Sequence, residues 1–381
     1  MSGSNRAGGP NRAGDSNRDL TVTGERSSST IRFAPVATLS TLANPGRTVI
    51  VADEITLHFV PPEFDRRRVV VVQRGEAAKN LGSLDGVYAR FLDLGVGRDW
   101  TVVGVGGGSV SDLAGFAAST WLRGIDSGFV PTTLLAMVDA SVGGKNGIDY
   151  QGYKNLIGSF SQPRFVLVDP ELLSSLPDYD LACGLVEAIK HGVIEGDDHL
   201  SAIEQAVSGS GKIDRTALAP IIRRSVALKA AVVSADEHER GDRRKLNLGH
   251  TIGHGVEAVT GLAHGAGVAA GLASACRFAV EHDATIRVAA EPRGSAALSK
   301  RIIDLLDGLG LPSSIELARK ASRETSEMSP ANFRDAVAEA IGTDKKRVGN
   351  DVLFAMPRAA GRVDIEPVAL QELRDFVRRA P

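Results

Sequence analysis

The chain has 381 residues, 43% of them hydrophobic and 24% charged, with a formal net charge of −2. That is enough for two domains or one large one, and it provides no basic field of the kind that draws a protein to nucleic acid. Its two cysteines, Cys183 and Cys276, sit in apolar helical patterns, and no apolar run reaches the roughly 18–20 residues that span a bilayer, so a cytoplasmic protein with no cysteine-based zinc knuckle and no membrane contact is expected.

The chain opens on "SNRAGGPNRAGDSNRD", a repeat of Asn-Arg-Ala-Gly poor in large apolar groups, and residues 1–30 read as a disordered tail. It has no apolar core for a signal peptide, and Asp15, Asp19 and Glu25 interrupt the basic character of a transit peptide. From 31 to 178, short β-rich runs alternate with helical patterns. "TVIVAD" (48–53), "RVVVVQ" (68–73), "TVVGVGGG" (101–108), "SGFVPTT" (127–133) and "RFVLVDP" (164–170) read as buried strands, with helices near 84–95 and 110–120. This alternation predicts an α/β domain with a Rossmann-like parallel sheet, whose ligands sit at the carboxyl ends of the strands.

Within it, "VVGVGGGSVSDLAG" (102–115) runs from strand through three glycines into a helix. Glycines let a backbone approach a pyrophosphate, and a helix start offers free N–H groups. The order is neither GxGxxG nor a P-loop, so a plain turn with Ser109 or Ser111 capping the helix is the competing reading. Asp53 ends the first strand, where it can hold a ribose hydroxyl, and Glu76 and Lys79 follow the second. The Gly-rich, mostly apolar stretch 131–160 carries Thr132, Thr133, Asp139, Lys145, Lys154 and Asn155, with Arg123 just upstream. Lysines beside glycines in apolar surroundings suggest anion binding.

Past "SSLPDYD" (174–180) the texture changes, and apolar residues at helical spacing predict an all-α domain over 179–381. Four residues there suit a divalent metal: Glu187, His250, His254 and His264. Spacing alone makes His250 and His254, four apart on one helix, the obvious pair, and a hydrogen-bonded histidine pair without metal is the alternative. Lys190 lies three residues from Glu187 and shares its face.

Seven motifs in order, "GGGSVSDLAGF", "RGIDSGFVPTTLLAMVDASVGGKNGID", "KNLIGSF", "GLVEAIKHG", "KAAVVSADEHERGDRRKLNLGHTIGH", "HGAGVA" and "DKK", resemble dehydroquinate synthase and the wider sugar-phosphate cyclases over about residues 45–360. The resemblance implies ring closure of 3-deoxy-arabino-heptulosonate 7-phosphate to 3-dehydroquinate with loss of phosphate, using NAD⁺ regenerated in each turnover and Zn²⁺ or Co²⁺. It implies metal ligation by Glu187, His250 and His264, which moves His254 to the phosphate side with Asn155, Lys190, Asn247 and Lys345. Arg123 would come from a neighbouring subunit of a homodimer. Lys229 and Arg243 match the carboxylate-binding pair, and Asp139 and Lys145 match further active-site positions, Lys145 also near the nicotinamide. Asp53, Glu76, Lys79, Gly108, Ser109, Asp112, Thr132, Thr133 and Lys154 fall in the NAD site.

The chain departs from the family pattern at Ala266, where many members carry a glutamate, at Asp242, usually apolar, and in its long tail. Sister cyclases, which act on sedoheptulose 7-phosphate, glucose 6-phosphate or an amino analogue, remain alternatives, as does an NAD-dependent polyol dehydrogenase. A carboxylate-bearing substrate is favoured by Lys229, Arg243 and Asn247 together, and the phosphate cluster argues against a polyol dehydrogenase.

Overall fold

Valine, isoleucine and threonine crowd the short runs of the first half, and these branched side chains pack well on a pleated, buried surface. In the computed structural model, which describes residues 18–209, 211–286, 292–341, 347–348 and 351–381, they form strands β1 (Leu20–Thr23), β2 (Ser28–Phe33), β3 (Thr48–Asp53), β4 (Val69–Val72), β5 (Thr101–Gly106) and β6 (Asp126–Pro131). A hairpin of β7 (Lys145–Tyr150) and β8 (Tyr153–Phe160) follows, then β9 (Phe165–Val168). Seven strands make one sheet in the order β1-β2-β9-β6-β5-β3-β4, parallel throughout except for β1 against β2. Every residue of β3, β5 and β9 is buried, as continuous apolar strands covered on both faces must be. Helices α1 (Leu81–Asp93) and α2 (Gly108–Thr120) complete the layer. The carboxyl ends of β3 and β5, at Asp53 and Gly106, open on one cavity.

The expected tail over 1–30 is too long. Residues 1–17 lie outside the described residues, but β1 and β2 are sheet strands, with Val22 and Ile31 fully buried. Their alternation is short and masked by the Ser/Thr-rich surroundings, and pairing of β2 with β9 across the sheet supplies what local pattern does not.

The second half is helical, as expected: α3 (Asp178–Glu195), α4 (Asp197–Ala206), α5 (Leu218–Ala235), α6 (His250–Thr260), α7 (His264–Ile286), α8 (Pro292–Gly308), α9 (Ile315–Ala321) and α10 (Pro330–Ile341). It is not all-α. A three-stranded antiparallel sheet, β10 (Arg347–Val348), β11 (Asp351–Ala359) and β12 (Arg362–Ala369), precedes the last helix, α11 (Leu370–Arg379). Phe354 of β11 packs edge-on to Phe278 of α7, 5.4 Å between ring centroids, so the hairpin covers the helical core. Gly361, at φ 84°, makes the turn that only a residue tolerant of left-handed backbone makes cheaply.

Helices α6 and α7 approach almost backbone to backbone. A Cβ on Gly253 would stand 2.9 Å from Val268 Cα, and one on Gly271 would overlap Gly249 O and come within 2.7 Å of Gly253 Cα. This glycine seam holds His250 and His264 together, at the start of each helix. Gly271→Ala should therefore destabilise the fold by about 1–3 kcal/mol, the typical cost of overpacking, rather than gain the usual helix benefit of alanine. The midpoint of denaturant unfolding measures this, and an unchanged or raised midpoint would contradict the tight seam.

Candidate active site in the cleft between sheet and helices

A cavity of about 1690 Å³ lies between the carboxyl ends of the strands and the helices. That exceeds the ~300–1,000 Å³ usual for one small ligand and leaves room for a dinucleotide beside a second molecule.

One wall is the strand–glycine–helix turn. Gly107 caps α2 without a side-chain hydrogen bond, so neither Ser109 nor Ser111 is the cap. The first main-chain bonds of the helix run from Val110 and Ser111 N to Gly107 O, which leaves the amides of Gly108 and Ser109 ahead of them. Packing demands the glycines: a Cβ on Gly107 would lie 3.3 Å from Thr133, and one on Gly108 3.0 Å from Ala140. Ser109 Oγ donates to Glu76 Oε1 at 2.7 Å. Asp53 Oδ1 accepts from Ile55 N and Thr56 N at 3.0 and 2.9 Å, which fixes the turn after β3 at the cavity edge. Lys79, only 4% exposed, donates to Asp112 at 2.7 Å and also meets Asn155. Burial pushes Asp112 up to about 6, with Lys79 opposing. Asp53, Glu76, Lys79, Gly108, Ser109, Asp112, Thr132, Thr133, Lys145 and Lys154 all line this cavity. A cradle closed to side chains at its glycines and headed by a helix start fits a pyrophosphate, and so fits NAD⁺.

Deeper, α3 brings Glu187 against the two histidines. Glu187 Oε1 lies 3.5 Å from Nε2 of both His250 and His264. It is fully buried and has no hydrogen-bond partner among the described residues. Each histidine uses its other nitrogen elsewhere: His250 Nδ1 lies 3.1 Å from Leu248 O, and His264 Nδ1 3.1 Å from Glu257 Oε2. Those contacts leave both Nε2 atoms directed at Glu187, where a bound cation would take the place of any proton on them. Burial works against a charged His264, yet the carboxylates of Glu187 and Glu257 push it up to about 10, so the site favours a positive charge there. One carboxylate oxygen and two imidazole nitrogens suit Zn²⁺ or Co²⁺ with positions left open.

His254, Glu257 and His264 form an overlapping donor set. In it the Glu257 carboxylate is already divided between His264 and Lys154 of β8, so the Glu187 set fits better. His254 lines the cavity, its ring 5.2 Å from that of His250.

The cations are paired within the chain. Lys190, 1% exposed, contacts Glu187 and lies 3.8 Å from Asp139. Lys229 contacts the same Asp139 carboxylate and donates to its main-chain carbonyl at 2.5 Å. Burial raises the Asp139 carboxyl, but Lys190 and Lys229 outweigh it and hold it below the usual range. Burial likewise lowers Lys229 to about 8, against the pull of Asp139. Lys145 and Asn247 converge on Glu239. Arg243, 3% exposed, donates to the main-chain carbonyls of Glu237 and of Gly143, the latter at 3.2 Å. Asp139, Asn155 and Asn247 line the cavity, whereas Glu187, Lys190, Lys229, Arg243 and His250 lie buried behind its wall.

Two further expected residues are not among the described residues that line the cavity. Arg123, exposed at φ 69° just after α2, does not line its own chain's cavity. Lys345 lies outside the described residues. Conversely, Glu239 and Glu257 were not singled out from sequence. Glu257 sits seven residues after His250, two helical turns along the same face, and that spacing was the available signal. Glu239 had none beyond its place in a charged loop, although its φ of 60° marks it as a held conformation.

Models of the 3-dehydroquinate synthase N-terminal and C-terminal regions match residues 69–183 and 184–347. The chain is 40% identical over 299 residues to the 3-dehydroquinate synthase of Picosynechococcus sp., covering 77% of this chain and 76% of the relative. It is 41% identical over 302 residues to that of Gloeobacter violaceus, with the same coverage. Among solved structures, a 2-deoxy-scyllo-inosose synthase complexed with carbaglucose-6-phosphate, NAD⁺ and Co²⁺ shares the fold, with a TM-score of 0.77, 22% identity, and coverage of 96% of this chain and 100% of that one. The 2-epi-5-epi-valiolone synthase of Streptomyces hygroscopicus subsp. jinggangensis with NAD⁺ and Zn²⁺ has a TM-score of 0.74 at 22% identity, covering 93% and 97%. With family models spanning most of its length and relatives at this identity, the chain belongs to the 3-dehydroquinate synthase family.

Proposed function

We propose that this cleft converts 3-deoxy-arabino-heptulosonate 7-phosphate into 3-dehydroquinate and phosphate. The observation that carries the reading is a Glu187–His250–His264 donor set that reaches, through His264, the same cavity as a glycine-flanked helix start, with buried cations behind the wall suited to an anionic substrate. Relatives near 40% identity are named for this activity, which favours it over the sister cyclases and over a polyol dehydrogenase. When bound, NAD⁺ supplies a reversible hydride acceptor, and a divalent metal such as Zn²⁺ or Co²⁺ supplies Lewis acidity.

The chain's own residues do the rest. Gly108, Ser109, Thr132 and Thr133 receive the cofactor's phosphates, while Asp53, Glu76, Lys79, Asp112 and Lys154 orient it. Glu187, His250 and His264 hold the metal. Asn155, Lys190, Asn247 and His254 face the phosphate of the substrate, joined by Lys345 and by Arg123 of a second subunit in a homodimer. A His254 nitrogen can donate to a departing phosphate oxygen. Asp139 stays ionised between Lys190 and Lys229, so it keeps both lysines protonated and in place until substrate anions arrive. Lys145 stands at the nicotinamide end, and Lys229 with Arg243 grips the carboxylate.

Replacing Glu187, His250 or His264 with alanine should remove bound metal from the purified protein, measured as metal per chain, while His254→Ala should keep it. Loss with His254→Ala and retention with His264→Ala would move the site to the overlapping set.

Arg243→Ala should lower kcat/KM for the heptulosonate phosphate by at least ~30-fold, the equivalent of the ~2 kcal/mol lost when a charged partner goes unpaired. A phosphosugar without the carboxylate should be a poor substrate for the parent. Faster turnover of sedoheptulose 7-phosphate by the parent would assign the chain to a sister cyclase.

Lys229 binds a carboxylate only while protonated. Since burial lowers it to about 8, kcat/KM should fall as pH rises through that value, and this limb should be absent from the residual activity of Lys229→Met. A profile flat to well above that pH would show that Lys229 carries no substrate charge.

A further inference from the structure

Arg243 differs from the lysines around the cavity. Lys145, Lys154, Lys190 and Lys229 each pair with a carboxylate. Among the described residues no carboxylate forms an ion pair with Arg243, whose hydrogen bonds go to two main-chain carbonyls, of Glu237 and Gly143. Its aim is therefore set by where the backbone of those residues stands.

At Glu237 that placement is made from a distance of more than two hundred residues. The Glu237 carboxylate accepts from Glu25 N at 2.7 Å and from Gln162 Nε2 at 2.9 Å. Glu25 follows β1 in the turn toward β2, and Thr23 N, two residues earlier at the end of β1, donates to Ser234 Oγ at 2.9 Å near the end of α5. Gly24 is needed there, because a Cβ would run into Glu237 Oε1 and stand 2.9 Å from Ser27 O. On its far side the same loop is wound by Asp236, whose carboxylate accepts from the amides of Arg240, Gly241 and Arg243 at 2.9, 2.7 and 3.2 Å. Asp236 shapes the loop internally, and Glu237 ties it to the sheet domain.

We propose that the Gly24–Glu25 turn, hooked onto Glu237, is a strap that sets the position of Arg243, which makes Glu237 a positioning residue for the substrate's carboxylate. This rests on the carboxylate role of Arg243 proposed above. The amino-terminal hairpin thus belongs to the substrate site although it touches no ligand. Its hydrogen bonds go to neutral carbonyl acceptors, and the carboxylates of Glu239, Asp139, Asp236 and Glu237 act on it only through space, so an external carboxylate can take the remaining N–H groups. The consequence of such an arrangement is that, when the loop drifts, the guanidinium keeps only its hydrogen bond to Gly143 O.

The test uses the full chain loaded with metal and NAD⁺. Glu237→Ala should raise KM for the heptulosonate phosphate about tenfold while kcat changes less than about threefold, the pattern of an interaction equal in ground and transition states. The inhibition constant of inorganic phosphate should stay unchanged, since the phosphate side does not hang on the strap. Gly24→Ala leaves Glu237 present but displaces its carboxylate and presses on Ser27 O of the same turn, so its unfolding midpoint is read alongside; with the fold intact it should give the same split, and the double variant should be no worse than either single one. Unchanged KM in both singles, or KM and the phosphate constant rising together, overturns the strap. Should Arg243→Ala itself leave KM unchanged, the carboxylate reading fails and takes the strap with it; should it raise KM while both strap variants do not, the strap alone fails.

Discussion

Buried cations need counter-charges before any ligand arrives, and this requirement shapes the whole cleft. Lys190 and Lys229 cannot stand bare in a site this dry. Asp139 and Glu187 neutralise them, with Asp139 shared between the two lysines. Removing one member of such a set strands a charge, typically at about 3–5 kcal/mol. The same balance makes the site responsive. Under the proposed function, a divalent metal held by Glu187 and an anionic substrate at the lysines would replace internal partners with external ones, with little change in total charge.

The scaffold delivers these groups from both halves of the chain. Strand ends and the α2 start present the proposed cofactor wall, and α3, α6 and α7 present the candidate metal donors. The glycine seam between α6 and α7 determines how closely His250 and His264 approach. Glu257 links the two walls, since one carboxylate oxygen holds His264 and the other meets Lys154 on the β7–β8 hairpin. Ala266, where many family members carry a glutamate, is fully buried near the start of α7, and Glu257 supplies a carboxylate to His264, a candidate metal donor, regardless. Outer carboxylates of this kind fix the ring and raise its basicity as a ligand.

Strong local patterns were legible. The run 48–53 is a strand with those same bounds, and a helix follows the glycine run as the spacing suggested, although it starts at Gly108, the third glycine, rather than after it. Both carry their information within a few residues: continuous branched apolar side chains in one, small residues before a helical period in the other. The β11–β12 hairpin and the β1–β2 strands were not legible, because their stability comes from pairing and from packing on distant helices rather than from local propensity.

At the site the division follows the same physics. Sequence alone determined the residue types, the order of the motifs and the two-part architecture, because those are written in composition, period and family resemblance. It ranked His250 and His254 as the metal pair by helical spacing. Only the tertiary structure decided that Glu187 Oε1 stands 3.5 Å from the Nε2 atoms of His250 and His264, that Asp139 sits between two lysines, and that Glu25 reaches Glu237. Each of those contacts joins segments remote along the chain, and distance along a chain says nothing of distance in space until the helices and sheet have packed.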